Sequence, residues 1–165
     1  MLCQQSCRRL LTGAVAQLLA CRSPVLAAGM SKTVRKIIST AKAAPPVSAY
    51  SQAVCVNNMV YVSGTIGVDK DTKKLADNGV VGQARAAFTN LGNILEAAGS
   101  SFGKVVKVTI LLDDINDFAA VGDVYKEFFK EPYPARISYQ AAKLPLAAKI
   151  EVDAIAVAGD METIQ

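Results

Sequence analysis

The sequence predicts an α+β fold, a mixed β-sheet with two helices packed on one of its faces. Three observations carry this. Residues 80–98 and 117–129 repeat apolar side chains at helical spacing. Six other stretches are short and either β-branched or alternating with period two. Of the 165 residues 52% are hydrophobic and 19% charged, enough apolar material for one core.

The elements follow in order. Residues 34–40 mix basic and β-branched side chains and read as a short edge strand; Pro45-Pro46 follows, and proline has no amide hydrogen to give to a ladder. Residues 51–56 and 59–63 form a hairpin around Asn57-Asn58, because asparagine tolerates the left-handed backbone of a two-residue turn. Gly64-Thr65-Ile66-Gly67 reads as a bend after the hairpin; it is too short for a phosphate cradle, and residues 69–79 continue as a loop. In residues 80–98, Val81, Ala84, Phe88, Leu91, Leu95 and Ala98 share one helical face, and Gly99 stops the helix. Residues 105–112 are a nearly continuous β-branched and leucine run, the pattern of a central strand covered on both faces, ended by Asp113-Asp114. The second helix, residues 117–129, aligns Phe118, Val121, Tyr125 and Phe128, with Pro132 and Pro134 closing it.

Residues 136–142 and 150–157 are the last strands; in the latter Ile150, Val152, Ala154 and Ala156 alternate with Glu151, Asp153, Ile155 and Val157. The order is β-β-β-α-β-α-β-β. Helices on one face leave the other sheet face bare, and a second copy of the chain is the expected cover.

Charge is unevenly distributed. Residues 1–68 hold seven Lys or Arg and no acid, the first carboxylate being Asp69; from there eleven bases face fourteen acids, a net charge of −3. An acidic domain lacks the basic footprint that phosphate backbones need, so nucleic-acid partners are not expected. Residues 1–29 carry Arg8, Arg9 and Arg22 without an acid, and their uncharged run over residues 10–21 is short of the roughly 20 residues a membrane span requires. They read as a targeting segment. Arginines spread along it favour a mitochondrial presequence, although Ala27-Ala28-Gly29 would also suit a secretory signal, and initiation at Met30 would give a cytosolic form. The chain thus divides into residues 1–29, a domain over residues 30–160 and a tail over residues 161–165.

Histidine and tryptophan are both missing, which excludes a Ser-His-Asp triad, an imidazole metal site and every histidine base. Cys3, Cys7 and Cys21 precede the domain, leaving Cys55 alone in an apolar run as a small buried hydrophobe, with no disulfide partner and no CxxC pair. Arg136, after Tyr133-Pro134-Ala135, is either a surface cation or a planar fork offered to a carboxylate ligand. Glu151 shares a strand face with Lys149 and Asp153, as part of a solvated strip or as an acid that orients water in a cleft. Tyr50-Ser51 and Ser63-Gly64 flank the hairpin as hydrogen-bonding or cleft residues. Spacing leaves these alternatives open.

A resemblance narrows them. Ile38-Ser39-Thr40, Ala49-Tyr50-Ser51-Gln52-Ala53-Val54, Val62-Ser63-Gly64, Glu96-Ala97-Ala98-Gly99, Val105-Val106-Lys107-Val108-Thr109, Asp117-Phe118, Val124-Tyr125, Pro134-Ala135-Arg136, Leu144-Pro145 and Ile150-Glu151 stand in the order of successive motifs of the reactive intermediate imine deaminase (RidA, or YjgF) family. The chain resembles that family over residues 31–158. The resemblance implies a chorismate-mutase-like sandwich assembled as a homotrimer with three clefts between subunits. It implies hydrolysis of enamine and imine acids, such as the 2-aminoacrylate and 2-aminocrotonate released by pyridoxal-phosphate enzymes, to 2-keto acids and ammonia. It implies no cofactor, no metal and no membrane partner. Residue by residue, the family's carboxylate-binding arginine falls on Arg136, its water-handling glutamate on Glu151, its cleft tyrosine on Tyr50, and its substrate-facing serine and glycine on Ser63 and Gly64. Other members have been described as single-strand ribonucleases, translation inhibitors or chaperone-like trimers; the acidic balance and missing histidines weigh against the nuclease.

The chain departs from the pattern at four places. Ser48-Ala49 precedes Tyr50 where Gly-Pro is usual, Thr65 replaces a common glutamine, Gly122 a common asparagine, and Leu146-Ala147-Ala148 a more polar turn.

Overall fold

A computed structural model describes residues 32–164; the targeting segment expected over residues 1–29 lies outside the described residues. Six strands form one sheet: β1 (Arg35–Ile38), β2 (Ala53–Val56), β3 (Met59–Ile66), β4 (Val105–Leu112), β5 (Ala135–Gln140) and β6 (Ile150–Val157). Two helices, α1 (Gly79–Ala97) and α2 (Phe118–Phe128), separate β3 from β4 and β4 from β5. The spatial order is β1-β2-β3-β6-β4-β5, antiparallel throughout except for the parallel pair β4–β5. The mixed sheet and the β-β-β-α-β-α-β-β order are those expected. Among the described residues no helix is long and apolar enough to cross a membrane.

Local chemistry explains the boundaries. Asn57 takes φ 55° in the turn between β2 and β3, the left-handed conformation its short side chain tolerates. At the end of α1, Gly99 takes φ 73°, its N–H donates to the Glu96 carbonyl and that of Ser100 to the Leu95 carbonyl, so helix-end carbonyls are satisfied as the chain leaves the helix. Ala84, Phe88, Leu91 and Leu95 of α1 are buried against the sheet, as their spacing predicts. Phe88 also meets Tyr125 and Phe129 edge-on, at ring-centroid distances of 6.0 and 5.9 Å, which seals α1 against the end of α2. Gly67 lets α1 approach: a Cβ there would collide with the Gln83 backbone.

Four expectations are corrected. The first strand is shorter than residues 34–40, since β1 is an edge with only β2 to pair with. Gly64-Thr65-Ile66 is no bend but the end of β3, where Ser63 and Gly64 together face the single residue Asp153 and form a β-bulge. Gly64 is needed for close approach, not for reversal. β4 is covered on one face only: Val108, Ile110 and Leu112 are buried, while Val106 is exposed. Its continuous apolar run therefore reflects β-branched residues that also face away from the helices. Phe118 lies at the exposed start of α2 rather than in its buried stripe, which consists of Val121, Val124 and Tyr125.

β6 alternates as read, with Ile150, Val152, Ala154 and Ala156 buried under the helices and Glu151, Asp153, Ile155 and Val157 facing the other way. On that second face Ile37, Tyr61, Ile137 and Tyr139 are each about half exposed. An apolar sheet face is thus open on the protomer. Cys55 is buried in the core, as its apolar neighbours predict.

Candidate functional site

The end of β3 and the loop before β2 form one pocket, which Tyr50, Ser63 and Gly64 line together. The loop is held by Gln52, a buried amide that accepts from the Thr40 N–H at 2.6 Å and donates to the Thr40 and Ala44 carbonyls at 3.1 and 2.9 Å. A buried amide with its hydrogen bonds made fixes the chain around it. Ser63 donates from Oγ to the Ser51 carbonyl at 2.7 Å, tying the bulge to the loop before β2. Tyr50 Oη accepts from the Val47 N–H at 3.4 Å, closing the loop upon itself. From the helix side, Asn90 donates from Nδ2 to the Val68 carbonyl at 2.8 Å and steadies the strand end.

Glu151 stands beside this pocket on the open face. Its carboxylate occupies the space above Gly64 that any Cβ there would fill. Half-burial pushes the Glu151 carboxyl above the usual glutamate range, and the nearby Asp153 charge adds to the shift. A carboxyl so shifted exchanges a proton more readily near neutral pH than an exposed one does.

Arg136 lies elsewhere. It pairs in register with the buried Val108, so it projects from the helix-covered face, opposite to Glu151. Its guanidinium lies 4.7 Å from the Tyr125 ring centroid and 5.3 Å from that of Phe118, stacked on both. With Gly122 and Tyr133 these residues line a wide hollow of about 620 Å³. No ion pair among the described residues involves Arg136, so its donor fork is available to an anion. Beneath it the Tyr125 hydroxyl is buried without a hydrogen-bond partner, and burial raises its pKa while the Arg136 charge draws it back. Tyr50, Ser63 and Gly64 are therefore brought together with Glu151 adjacent, and Arg136 is not with them. β3 and β5 are three strand steps apart, roughly 14 Å at about 4.8 Å per step.

The family model for Endoribonuclease L-PSP matches residues 40–158 of this chain. The chain belongs to that family. The match covers nearly the same stretch as the motifs that resemble the imine deaminases. A goat (Capra hircus) member named 2-iminobutanoate/2-iminopropanoate deaminase is 52% identical over 134 residues, 81% of this chain and 98% of the goat protein. A human member of the same name is 48% identical over the same shares of both chains. The crystal structure of RidA from the Antarctic bacterium Psychrobacter superposes with a TM-score of 0.72 at 43% identity, covering 74% of this chain and 98% of that one. In this L-PSP family member, sequence reading missed Gln52 as the anchor of the Tyr50 loop and Phe118 as a wall of the Arg136 hollow. A lone glutamine before an apolar run is a weak signal, and Phe118 falls on the helical stripe that normally means core.

Proposed function

We propose that this protein hydrolyses small 2-imino acids, and their enamine tautomers, to 2-keto acids and ammonia. The observation that carries this reading is the unpaired Arg136 fork, braced on two aromatic rings at the rim of an open hollow. A bidentate guanidinium suits the carboxylate of such an acid, and the names of the goat and human relatives support the same class of substrate.

The reaction needs little from the protein beyond placement. An imine carbon next to a carboxylate is already electrophilic, so one positioned water suffices. Arg136 holds the carboxylate. Glu151 takes a proton from the water as its oxygen bonds to the imine carbon and passes it to the nitrogen, giving the carbinolamine; it then carries the remaining hydroxyl proton to the nitrogen as the C=O bond forms and the C–N bond breaks. The balance is R–C(=NH)–COO⁻ + H₂O → R–C(=O)–COO⁻ + NH₃. Tyr50, Ser63 and Gly64 form the wall against which the imine lies.

Within one protomer this set cannot act on one molecule. Arg136 lies three strand steps, roughly 14 Å, from the β3 residues of the Tyr50 pocket, and two steps, roughly 10 Å, from Glu151 on the opposite sheet face, whereas an imino acid spans only about 5 Å. The site therefore completes itself between copies, Arg136 of one facing Tyr50, Ser63, Gly64 and Glu151 of another, and the open sheet face is the surface on which a homotrimer forms. The basic, acid-free residues 1–29 support a mitochondrial destination.

The test couples the purified protein to a serine or threonine dehydratase and follows 2-keto acid formation above the uncatalysed rate. Arg136→Lys keeps the charge but loses the fork, and a fall of about 100-fold is expected. Near-normal turnover in that variant overturns the reading.

A further inference from the structure

We propose that Leu146 sets the substrate preference of the Tyr50 pocket, favouring 2-imino acids with a branched aliphatic side chain. The inference rests on the imine-hydrolase reading above, in which that pocket faces the reacting molecule.

Leu146 and Ala147 sit in the turn before β6 and both adopt left-handed backbone, with φ of 55° and 56°. That region crowds any Cβ against the backbone, and a bulky side chain there is an outlier worth explaining. Glycine or asparagine would turn the chain here with less strain. Packing does not compensate, because Leu146 is 59% exposed. The turn is anchored instead by its neighbours, Leu144 at 4% and Ala148 at 0% exposure. The fold buries neither strained side chain, and of the two only Leu146 lines the pocket.

What that side chain does reach is the pocket. Leu146 lines it beside Tyr50 and Ser63, and Val47 and Ile66 extend the same apolar wall. Strain held at a ligand-facing position is characteristic of functional sites. The cavity measures about 80 Å³, room for on the order of five water-sized groups. That is room for a small branched aliphatic side chain. Methyl and ethyl side chains would leave it partly filled, with Leu146 and Ile66 still facing water.

The experiment uses the full-length protein with Leu146→Gly, Leu146→Asn and Leu146→Met. An L-amino-acid oxidase generates the imines of leucine and alanine in place, and 2-keto acid release gives kcat/KM for each. In the Gly and Asn variants kcat/KM for the leucine-derived imine should fall about tenfold while that for the alanine-derived imine stays within about twofold. Leu146→Met, still apolar, should hold the wild-type ratio, and melting temperatures should not fall. An unchanged ratio in the Gly and Asn variants, or an equal loss on both imines, overturns the role of Leu146 while leaving imine hydrolysis intact. A wild-type protein that hydrolyses neither imine overturns both.

Discussion

At the scale of the residue, Glu151 ties chemistry to stability. Burial and Asp153 favour its protonated form in the folded protein, so the folded state binds this proton more tightly than the unfolded chain does. Its contribution to stability is present below the ordinary glutamate value of 4.5 and is lost as pH rises through the raised folded value. Glu151→Gln should therefore melt higher than wild type at pH 7, the gap closing as pH approaches 4, while imine hydrolysis is lost. Scanning fluorimetry across that range, paired with the keto-acid assay, checks both. A gap that persists unchanged at pH 4 would mean that the charge is not the cause. In the wild type, kcat/KM should decline on the acid side at a pH above the usual glutamate range. Arg136 and Glu151 were legible as residue types suited to a carboxylate and a water. That they project from opposite faces of the sheet follows from the register of β5 on β4, which spacing alone does not reveal.

At the scale of the element, two glycines three residues apart do different work at the end of β3. A Cβ at Gly67 meets backbone of α1, which cannot move aside, so Gly67→Ala should destabilise the protein by about 1–3 kcal/mol in urea unfolding. At Gly64 the obstacle is the tip of the Glu151 side chain, which can rotate away. Gly64→Ala should keep nearly wild-type stability yet lose most imine hydrolysis, because the carboxylate is displaced. Equal losses of stability at the two positions would remove the case for Gly64 as the seat of Glu151. Helix α1 and the Asn57 turn were readable from sequence, since periodicity and a turn residue are local signals. The bulge was not. Its cause is a partner strand with one residue fewer opposite Ser63 and Gly64, and nothing within β3 announces that.

At the scale of the whole molecule, Tyr61, Ile137 and Tyr139 leave an apolar sheet face open on the protomer. Light scattering should give three times the protomer mass. Tyr61→Lys, at the centre of that face and away from the proposed chemistry, should yield folded protomers that no longer hydrolyse imines. Active monomers would refute the shared site. By itself the sequence determined the order of elements, the helix stops, the buried alternation of β6 and the residue types suited to an imino acid, because each is written in the spacing of neighbouring side chains. Only the tertiary structure decided that β6 lies between β3 and β4, that Gly64 makes room for Glu151, and that Arg136 stands apart from the pocket at Tyr50. Those outcomes depend on which distant strands pair and in what register, and pairing is set by the packing of the whole sheet against its helices rather than by any one segment.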